Sequence, residues 1–413
     1  MTASAGEAAR RGPGRGHGRR VLIIIENLPA PFDRRVWQEA TTLAGAGYRV
    51  AIICPTGRGY EARREVIDGI RIYRHRLPLE ARGALGYAIE YSAALLAEFW
   101  LSLRVFFGPG FDVIQACNPP DDIFLIGGFY KLLFRRRFVF DHHDINPELY
   151  EAKFGRRDFF YHLMVLWERW TYRTADIAIV TNDSYREIAL GRGRLAPERV
   201  FVVRSGPSLA RLKIGPPDPA LKRGRAYLVG YVGVMGAQEG LDYLLEAARI
   251  IVHDKGRDDV HFGLVGGGSE LPKLKALARA KGVADHVTFT GRVPDRDLLA
   301  MLNTADLCVN SDTFNEMNDK STMNKIMEYM ALAKPIVQFD LTEGRFSAGD
   351  ASLYARPNDA ADLAAKILEL LADPARRRAM GEAGRRRVVE ELSWDHEAPK
   401  LLAAYDALWR FRP

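Results

Sequence analysis

Between Ser205 and Arg225 the chain reads SGPSLARLKIGPPDPALKRGR, and on both sides of this stretch short apolar runs alternate with helix-period segments. That interruption constrains the fold more than any motif. Strand, helix, strand order at this spacing builds parallel βαβ units. A Pro- and Gly-rich, weakly apolar stretch between two such series reads as a linker. A length of 413 residues is ample for two cores. The expectation is α/β: two Rossmann-like domains facing across a cleft, where ligands bind.

Before the linker, strands are predicted at Val21 to Ile25, Tyr48 to Cys54, Gly69 to Arg74, Asp112 to Ala116, Arg137 to Asp141, Ile177 to Thr181 and Val200 to Val203. Five consecutive apolar residues at Val21 to Ile25 suit a parallel strand buried on both faces. Ala84 to Phe107 is the most hydrophobic segment, but Glu90, Glu98 and Arg104 interrupt it. A buried or interfacial helix is expected there rather than a membrane span, with Phe99, Trp100, Phe106 and Phe107 either packed in the core or meeting a membrane. After the linker the alternation restarts at Tyr227 to Val232 and runs to a terminal helix, Trp394 to Phe411, long enough to cross back to the first domain. The expected division is 1–20 a disordered basic tail, 21–205 the first domain, 206–225 the linker, 226–393 the second domain and 394–413 the returning helix.

The net charge of +7 lies wholly in residues 1–205, which carry 30 Lys and Arg against 23 Asp and Glu. A basic half can meet nucleic acid, an anionic membrane surface or an anionic substrate. No aromatic-interleaved basic patch or nucleic-acid motif supports the first, so no nucleic acid is expected. Cys54, Cys117 and Cys308 are far apart and flanked by apolar residues. They suit reduced thiols in a cytoplasmic protein, not a disulfide framework or a zinc site.

The richest stretch for chemistry is Ser311 to Val337, SDTFNEMNDKSTMNKIMEYMALAKPIV. A polar run gives way near Thr322 to Met323, Ile326, Met327 and Met330 at helical spacing, with Ser321 or Thr322 as N-cap. A helix start carries unpaired N–H groups and partial positive charge, which suits a phosphate. Lys325 in the first turn and Glu328 one turn later either reach a ligand across that end or sit on an ordinary amphipathic helix. Glycine turns after strands, at Gly233 to Gly236 and Gly266 to Gly268, let a backbone approach phosphate closely. Neither matches the dinucleotide or Walker pattern. Asp141-His142-His143-Asp144 ends a strand where groups gather in open α/β sheets; it reads as catalytic, as loop capping or as a core hydrogen bond.

Taken together, Asp33-Arg34-Arg35 through Gly47-Tyr48-Arg49-Val50, Phe138 to Glu148 (FVFDHHDINPE), Gly230 to Ala247, Gly263 to Gly268, Val287 to Val293, Glu328 to Val337 and Ser393-Trp394 resemble a family 4 glycosyltransferase of the GT-B fold. The run Asn318 to Met330 and Leu341 to Arg345 resemble a polysaccharide-assembly subgroup. The resemblance extends from about Val21 to Leu408. It implies retaining transfer, of the hexosyltransferase type, from a nucleotide-sugar held by the second domain, without metal or other cofactor. UDP- or GDP-sugar donors are expected, with a saccharide or polyprenyl-diphosphate-linked acceptor against the first domain. The setting implied is cell-surface polysaccharide or glycolipid biosynthesis, cytoplasmic, with peripheral contact at the inner face of the membrane.

On that resemblance the donor-binding residues are Gly233, Gly236, Gly267, Arg292, Ser321, Asn324, Lys325 and Glu328, with Glu328 on the ribose. His143, Asp144 and Lys320 are the catalytic candidates, His143 as hydrogen-bond partner to the sugar. Front-face attack, with the donor phosphate accepting the acceptor proton, is the implied mechanism. Two departures stand out. The first Glu of the family's Glu-(seven residues)-Glu motif falls on Lys320, and the family's diphosphate-binding Arg and Lys fall on Val234 and Glu239. Lys325, Lys320 and the N–H groups of Met323 to Lys325 are expected to replace those cations. Alternatives are a GT-B nucleotide-sugar epimerase, which would need acid and base carboxylates, and a non-catalytic partner subunit.

Overall fold

The structure is a computed structural model that describes residues 16, 18–76 and 83–411, with backbone alone over 83–91. Of the expected basic tail, residues 1–15 and 17 lie outside the described residues, and Arg20 opens the first strand. The chain divides into two compact units. Unit 1 is Met1–Glu151, Arg156–Val203 and Ala398–Pro413; unit 2 is Ala152–Gly155 and Arg204–Glu397.

Unit 1 contains β1 (Arg20–Ile25), β2 (Arg49–Pro55), β3 (Arg64–Ile67), β4 (Ile70–His75), β5 (Val113–Cys117), β6 (Arg137–His142), β7 (Ile177–Val180) and β8 (Val200–Val202). Their order is β3-β4-β2-β1-β5-β6-β7-β8, parallel except for β3 against β4. Chain direction across the sheet reverses at β1, whose neighbours are β2 and β5. Its helices are α1 (Arg34–Gly45), α2 (Gly83–Phe107), α3 (Phe124–Phe134), α4 (Asn146–Phe154), α5 (Phe159–Thr174) and α6 (Asp183–Gly191). Asp33 caps α1 by accepting a 2.9 Å bond from the Val36 amide. Of the expected strands, β1 and β6 are buried along nearly their whole length, as a parallel centre requires. The short edge strand β3 has no such signal: its four residues, REVI, are half exposed.

Unit 2 contains β9 (Tyr227–Val232), β10 (Val260–Val265), β11 (Val287–Gly291), β12 (Leu307–Asn310), β13 (Ile336–Phe339) and β14 (Ser352–Ala355), all parallel in the order β11-β10-β9-β12-β13-β14. The helices are α7 (Leu241–Arg249), α8 (Leu271–Ala280), α9 (Asp295–Thr304), α10 (Glu316–Lys320), α11 (Asn324–Ala331), α12 (Thr342–Ala348), α13 (Ala360–Ala372) and α14 (Pro374–Arg387); the terminal helix α15 (Trp394–Leu408) starts in unit 2 and belongs to unit 1 from Ala398 on. The switch point lies between β9 and β12, and ligands of such sheets bind outside the carboxyl ends of the strands there.

The stretch expected to be a linker is docked on unit 2. Leu212 is fully buried with Leu302, Ile326 and Met330, the Gly215 amide donates to Asn303 Oδ1 at 3.0 Å, and Lys222 Nζ donates to Asp306 at 2.8 Å. Pro and Gly set its course, while Leu212, the partly buried Leu209 and Leu221, and a few polar anchors hold it down.

Candidate active site

In unit 1 the polar cluster sits at the carboxyl end of β6, beside β5. Asn118, which follows β5, clamps the turn: its Oδ1 accepts from the His143 amide at 2.7 Å and the Asp144 amide at 3.2 Å, and its Nδ2 donates to the Asp144 carbonyl at 2.6 Å. His143 Nε2 lies 2.7 Å from Asp141 Oδ2 and 3.0 Å from Arg35 Nε. Arg35 also bonds Asp141 Oδ1 at 2.9 Å and the Val203 carbonyl at 2.8 Å. Gln115 Nε2 bonds Asp141 and Glu39, and Tyr405 on α15 donates to Gln115 Oε1 at 2.5 Å. Five buried side chains thus converge behind one half-buried imidazole.

Electrostatics follow from this packing. Burial alone would raise Asp141, but Arg35 and His143 hold its carboxyl far below the usual carboxylate range. Burial, then the Asp141 charge, pushes Glu39 well up against the pull of Arg35. One carboxylate therefore neutralises the guanidinium and the second carboxyl stays protonated. The neighbouring His142 is a core residue: its Nδ1 is 2.6 Å from the Tyr172 hydroxyl, and burial lowers it to about 3. By spacing, Cys117, Asp141 and His143 could hold a metal ion. The Arg35 guanidinium already bonds two of the three, so a cation would meet a fixed positive charge. The sequence expectation of no metal comes from the family resemblance and from the lack of a third ligand at a persuasive spacing; the fold places Cys117 as a third ligand.

In unit 2, three glycine turns nest at the carboxyl ends of β9, β10 and β11. The Gly233 amide donates to Val265 O at 3.1 Å, the Met235 amide to Gly267 O at 2.9 Å and the Gly266 amide to Gly291 O at 3.0 Å. Gly266 has φ +136°, and a Cβ there would lie 1.8 Å from the Gly233 carbonyl oxygen; one on Gly268 would lie 2.4 Å from that of Met235. The close approach these glycines serve is loop against loop. Gly266→Ala is expected to cost about 1–3 kcal/mol from backbone conformation alone, and more through the clash. Urea unfolding checks it, and an unchanged midpoint would mean the loops can spread at no cost.

The stretch after β12 is broken into two helices. Asn315 caps α10, and α11 begins at Asn324 with Met323 at the N-cap position and no side-chain capping bond. This corrects the expected cap: Ser321 turns back to donate to the Met317 carbonyl at 2.6 Å, and Ser321 ends α10 instead of opening α11. Lys325 points inward. Its Nζ lies 2.5 Å from Glu239 Oε2 and 2.7 Å from Asp312 Oδ1, 5.1 Å from the centre of the Tyr231 ring. Glu239, standing where the family places a lysine, thus receives its ammonium from α11. Lys325 holds Glu239 below its ordinary value against burial, while burial, with the Glu239 charge adding to it, pushes Asp312 up to about 7 against the pull of Lys325. The ammonium's charge is shared between two carboxyls.

Glu328, one turn on, bonds Arg211 of the docked stretch, and Arg211 also reaches Asp295 at 3.2 Å. Lys320 pairs with Glu316 at 2.6 Å on the outer side of α10. Arg292 and Asn324 are exposed, Arg292 beside Gly291 at the end of β11. The donor-side candidates Gly233, Gly236, Gly267, Arg292, Asn324, Lys325 and Glu328 therefore occupy loops and a helix start along one edge of one sheet.

Residues 33–206 match the model of the glycosyl transferase 4-like domain, and residues 226–373 match that of glycosyl transferases group 1. Its two units are glycosyltransferase domains. The fold is GT-B: a sucrose-phosphate synthase from Thermosynechococcus elongatus superposes with a TM-score of 0.79 at 19% identity, covering 95% of this chain and 99% of that one. Anabaena HepE in complex with UDP-glucose gives 0.70 at 14% identity, over 94% and 99% of the two chains. Among curated relatives, an α-D-kanosaminyltransferase of Streptomyces kanamyceticus is 26% identical over 226 residues, 52% of this chain. The chain spans 56 to 65% of the length of the three curated relatives it matches first.

These glycosyltransferase domains carry several site residues that sequence reasoning did not single out. Asn118 had a usable signal, a polar residue ending an apolar strand at the sheet's carboxyl edge. Asp312 and Gln115 had little, since each sits beside an apolar run and gains its meaning from a distant partner. Arg211 had none, because it lies in the stretch read as a linker.

Proposed function

We propose that this chain transfers a sugar, with retention, from a UDP- or GDP-sugar to a saccharide or polyprenyl-diphosphate-linked acceptor in cell-surface polysaccharide or glycolipid assembly. The observation that carries the reading is the alignment, along one edge of unit 2, of three nested glycine turns, the α11 start and Glu328. Backbone N–H groups at the Met323 to Lys325 positions supply preorganised donors for a departing diphosphate, and Lys325 supplies the cation beneath them. Glu328 takes the ribose, with Arg211 holding its carboxylate in place. His143 and Asp144 serve the donor sugar, and the Arg35–Asp141 pair fixes the imidazole. The UDP-glucose carried by HepE supports a nucleotide-sugar donor. A polyprenyl-linked acceptor lies in a bilayer, so peripheral contact at the cytoplasmic face belongs to the same reading. Among the described residues no helix is long and apolar enough to cross a membrane.

A nucleotide-sugar panel read by thermal shift, followed by donor hydrolysis, tests this. One donor at about a hundred times its Kd should add about 2.7 kcal/mol of stability. The shift should vanish in Glu328→Ala and persist in Lys320→Ala. A second reading, a non-catalytic partner subunit, is favoured by one observation: the only lysine near the Gly233 turn among the described contacts is already shared by two carboxyls. Silence across uridine, guanosine and thymidine donors would overturn transfer and leave that reading.

A further inference from the structure

The outward side of three neighbouring helices in unit 1 is apolar where a helix covering a sheet should be polar. On α2, Leu96, Trp100 and Phe107 are exposed, Trp100 by 59% and Phe107 by 77%. Their spacing of four and seven residues places them on one stripe, and Arg104 stands in that stripe between them. The other two aromatics of the segment turn inward: Phe99 packs edge-on to Phe129 at 5.0 Å and Phe106 against Phe134 at 4.6 Å. On α3, Leu125 and Leu132 share one side, Leu132 being 84% exposed. On α5, Phe159, Leu166 and Trp170 do the same, with Arg173 continuing the stripe and Arg169 beside it.

The three helices are contiguous. Ser102 on α2 is 3.0 Å from the Tyr130 hydroxyl on α3, and Phe124 on α3 meets Trp170 on α5 at 5.6 Å. Lys131 on α3 donates to the Thr174 carbonyl at 2.7 Å. Together they present a broad apolar surface rimmed by arginines, Arg135 included at the end of α3. Among the described side chains of these helices the acidic groups are Glu98 and Glu168, and both are fully buried. Among the described side chains of these helices, the face offers apolar and cationic groups and no exposed carboxylate.

We infer that the outward face of α2, α3 and α5 docks on an anionic phospholipid bilayer. Aromatic and leucine side chains enter the headgroup region while the arginines meet lipid phosphates, which is the division of labour of an interfacial surface. A contiguous exposed apolar patch of this kind marks an interaction site, and charge selects the occupant: a surface that is apolar with phosphates at its margin complements arginines at the edge of aromatics. The inference deepens the lipid-linked acceptor reading at its acceptor side and makes no use of the donor site.

The test is sedimentation of the full chain with vesicles of phosphatidylcholine alone and of phosphatidylcholine with a third phosphatidylglycerol. Binding should be at least tenfold stronger to the anionic vesicles and should weaken with salt. Trp100→Ser, Phe107→Ser and Leu132→Ser combined should reduce it at least tenfold, and Arg104→Glu with Arg173→Glu should remove the preference for anionic lipid. All five side chains are outward, so the folded state is expected to persist, and an unchanged Tm checks that. Binding by neither vesicle, or undiminished binding by the triple serine variant, would overturn the inference. So would a dimer in solution that the triple variant converts to monomer, which would assign the face to a second copy. Donor hydrolysis in vesicle-free buffer should be the same in the triple variant as in the parent. Its loss in the parent would count against the transferase reading, and loss of vesicle binding alone against this one.

Discussion

Lys325→Met is expected to destabilise unit 2 by about 3–5 kcal/mol, the usual cost of removing one partner from a buried ion pair. The ammonium is 9% exposed and lies between Glu239 and Asp312, so its loss leaves the buried Asp312 carboxyl facing the partly buried one of Glu239. The triple variant Lys325→Met, Glu239→Gln, Asp312→Asn should recover most of that stability, because uncharged groups of similar shape replace the cluster as a whole. Donor turnover should not recover, since the cation beneath the α11 start is gone. Urea unfolding and donor hydrolysis on the same three proteins separate the effects. Full turnover in the triple variant would remove Lys325 from the chemistry and leave it a structural residue.

The same cluster carries a pH signature. Asp312 is pushed up to about 7 in the folded chain, against about 3.9 unfolded. A group raised on folding contributes stability that is full below its unfolded value and is lost as pH rises through its folded one. Stability should therefore fall between about pH 4 and 7, the span from the ordinary Asp value to the folded one. Asp312→Asn, which keeps the neutral form, should flatten that fall.

The second large effect is non-additive. Arg35 is 7% exposed and faces Asp141 at 2.9 Å and Glu39 at 3.1 Å. In the parent, Asp141 is the carboxylate and Glu39 the carboxyl, held up by burial and by the Asp141 charge. Asp141→Asn removes that charge, so Glu39 can ionise and take its place beside the guanidinium. Glu39→Gln leaves Asp141 where it is. Each single variant should cost about 1–3 kcal/mol, the scale of hydrogen bonds to charged groups. The double variant strands the guanidinium and should cost about 3–5 kcal/mol beyond the milder single. A double-mutant cycle by chemical denaturation measures the coupling, and strict additivity would mean the two carboxyls do not substitute for one another.

The Gly233 and Gly266 turns show how far local reading goes. Glycines after buried strands mark close backbone approach, and that approach is there. Which backbone comes near is a matter of strand order: β9 and β10 are neighbours, so their two turns nest on each other. The cap of α11 shows the opposite failure. Ser321 and Thr322 are good capping residues by type, yet α10 intervenes and uses Ser321 to finish its own last turn. Local propensity cannot weigh a short helix that exists because Asn318 anchors to Gln238 O at 2.9 Å across the sheet edge.

By itself the sequence determined the alternation of strands and helices, the two series and the order of motifs. These depend on hydrophobic period and turn chemistry within a dozen residues, which any stretch of chain carries with it. Tertiary structure alone decided the charge state of the site. Lys325 meets Glu239 from 86 residues away, Arg35 meets His143 from 108 and Arg211 meets Glu328 from 117. Ionisation depends on burial and on through-space distance to other charges, and both are set by which parallel strands lie side by side.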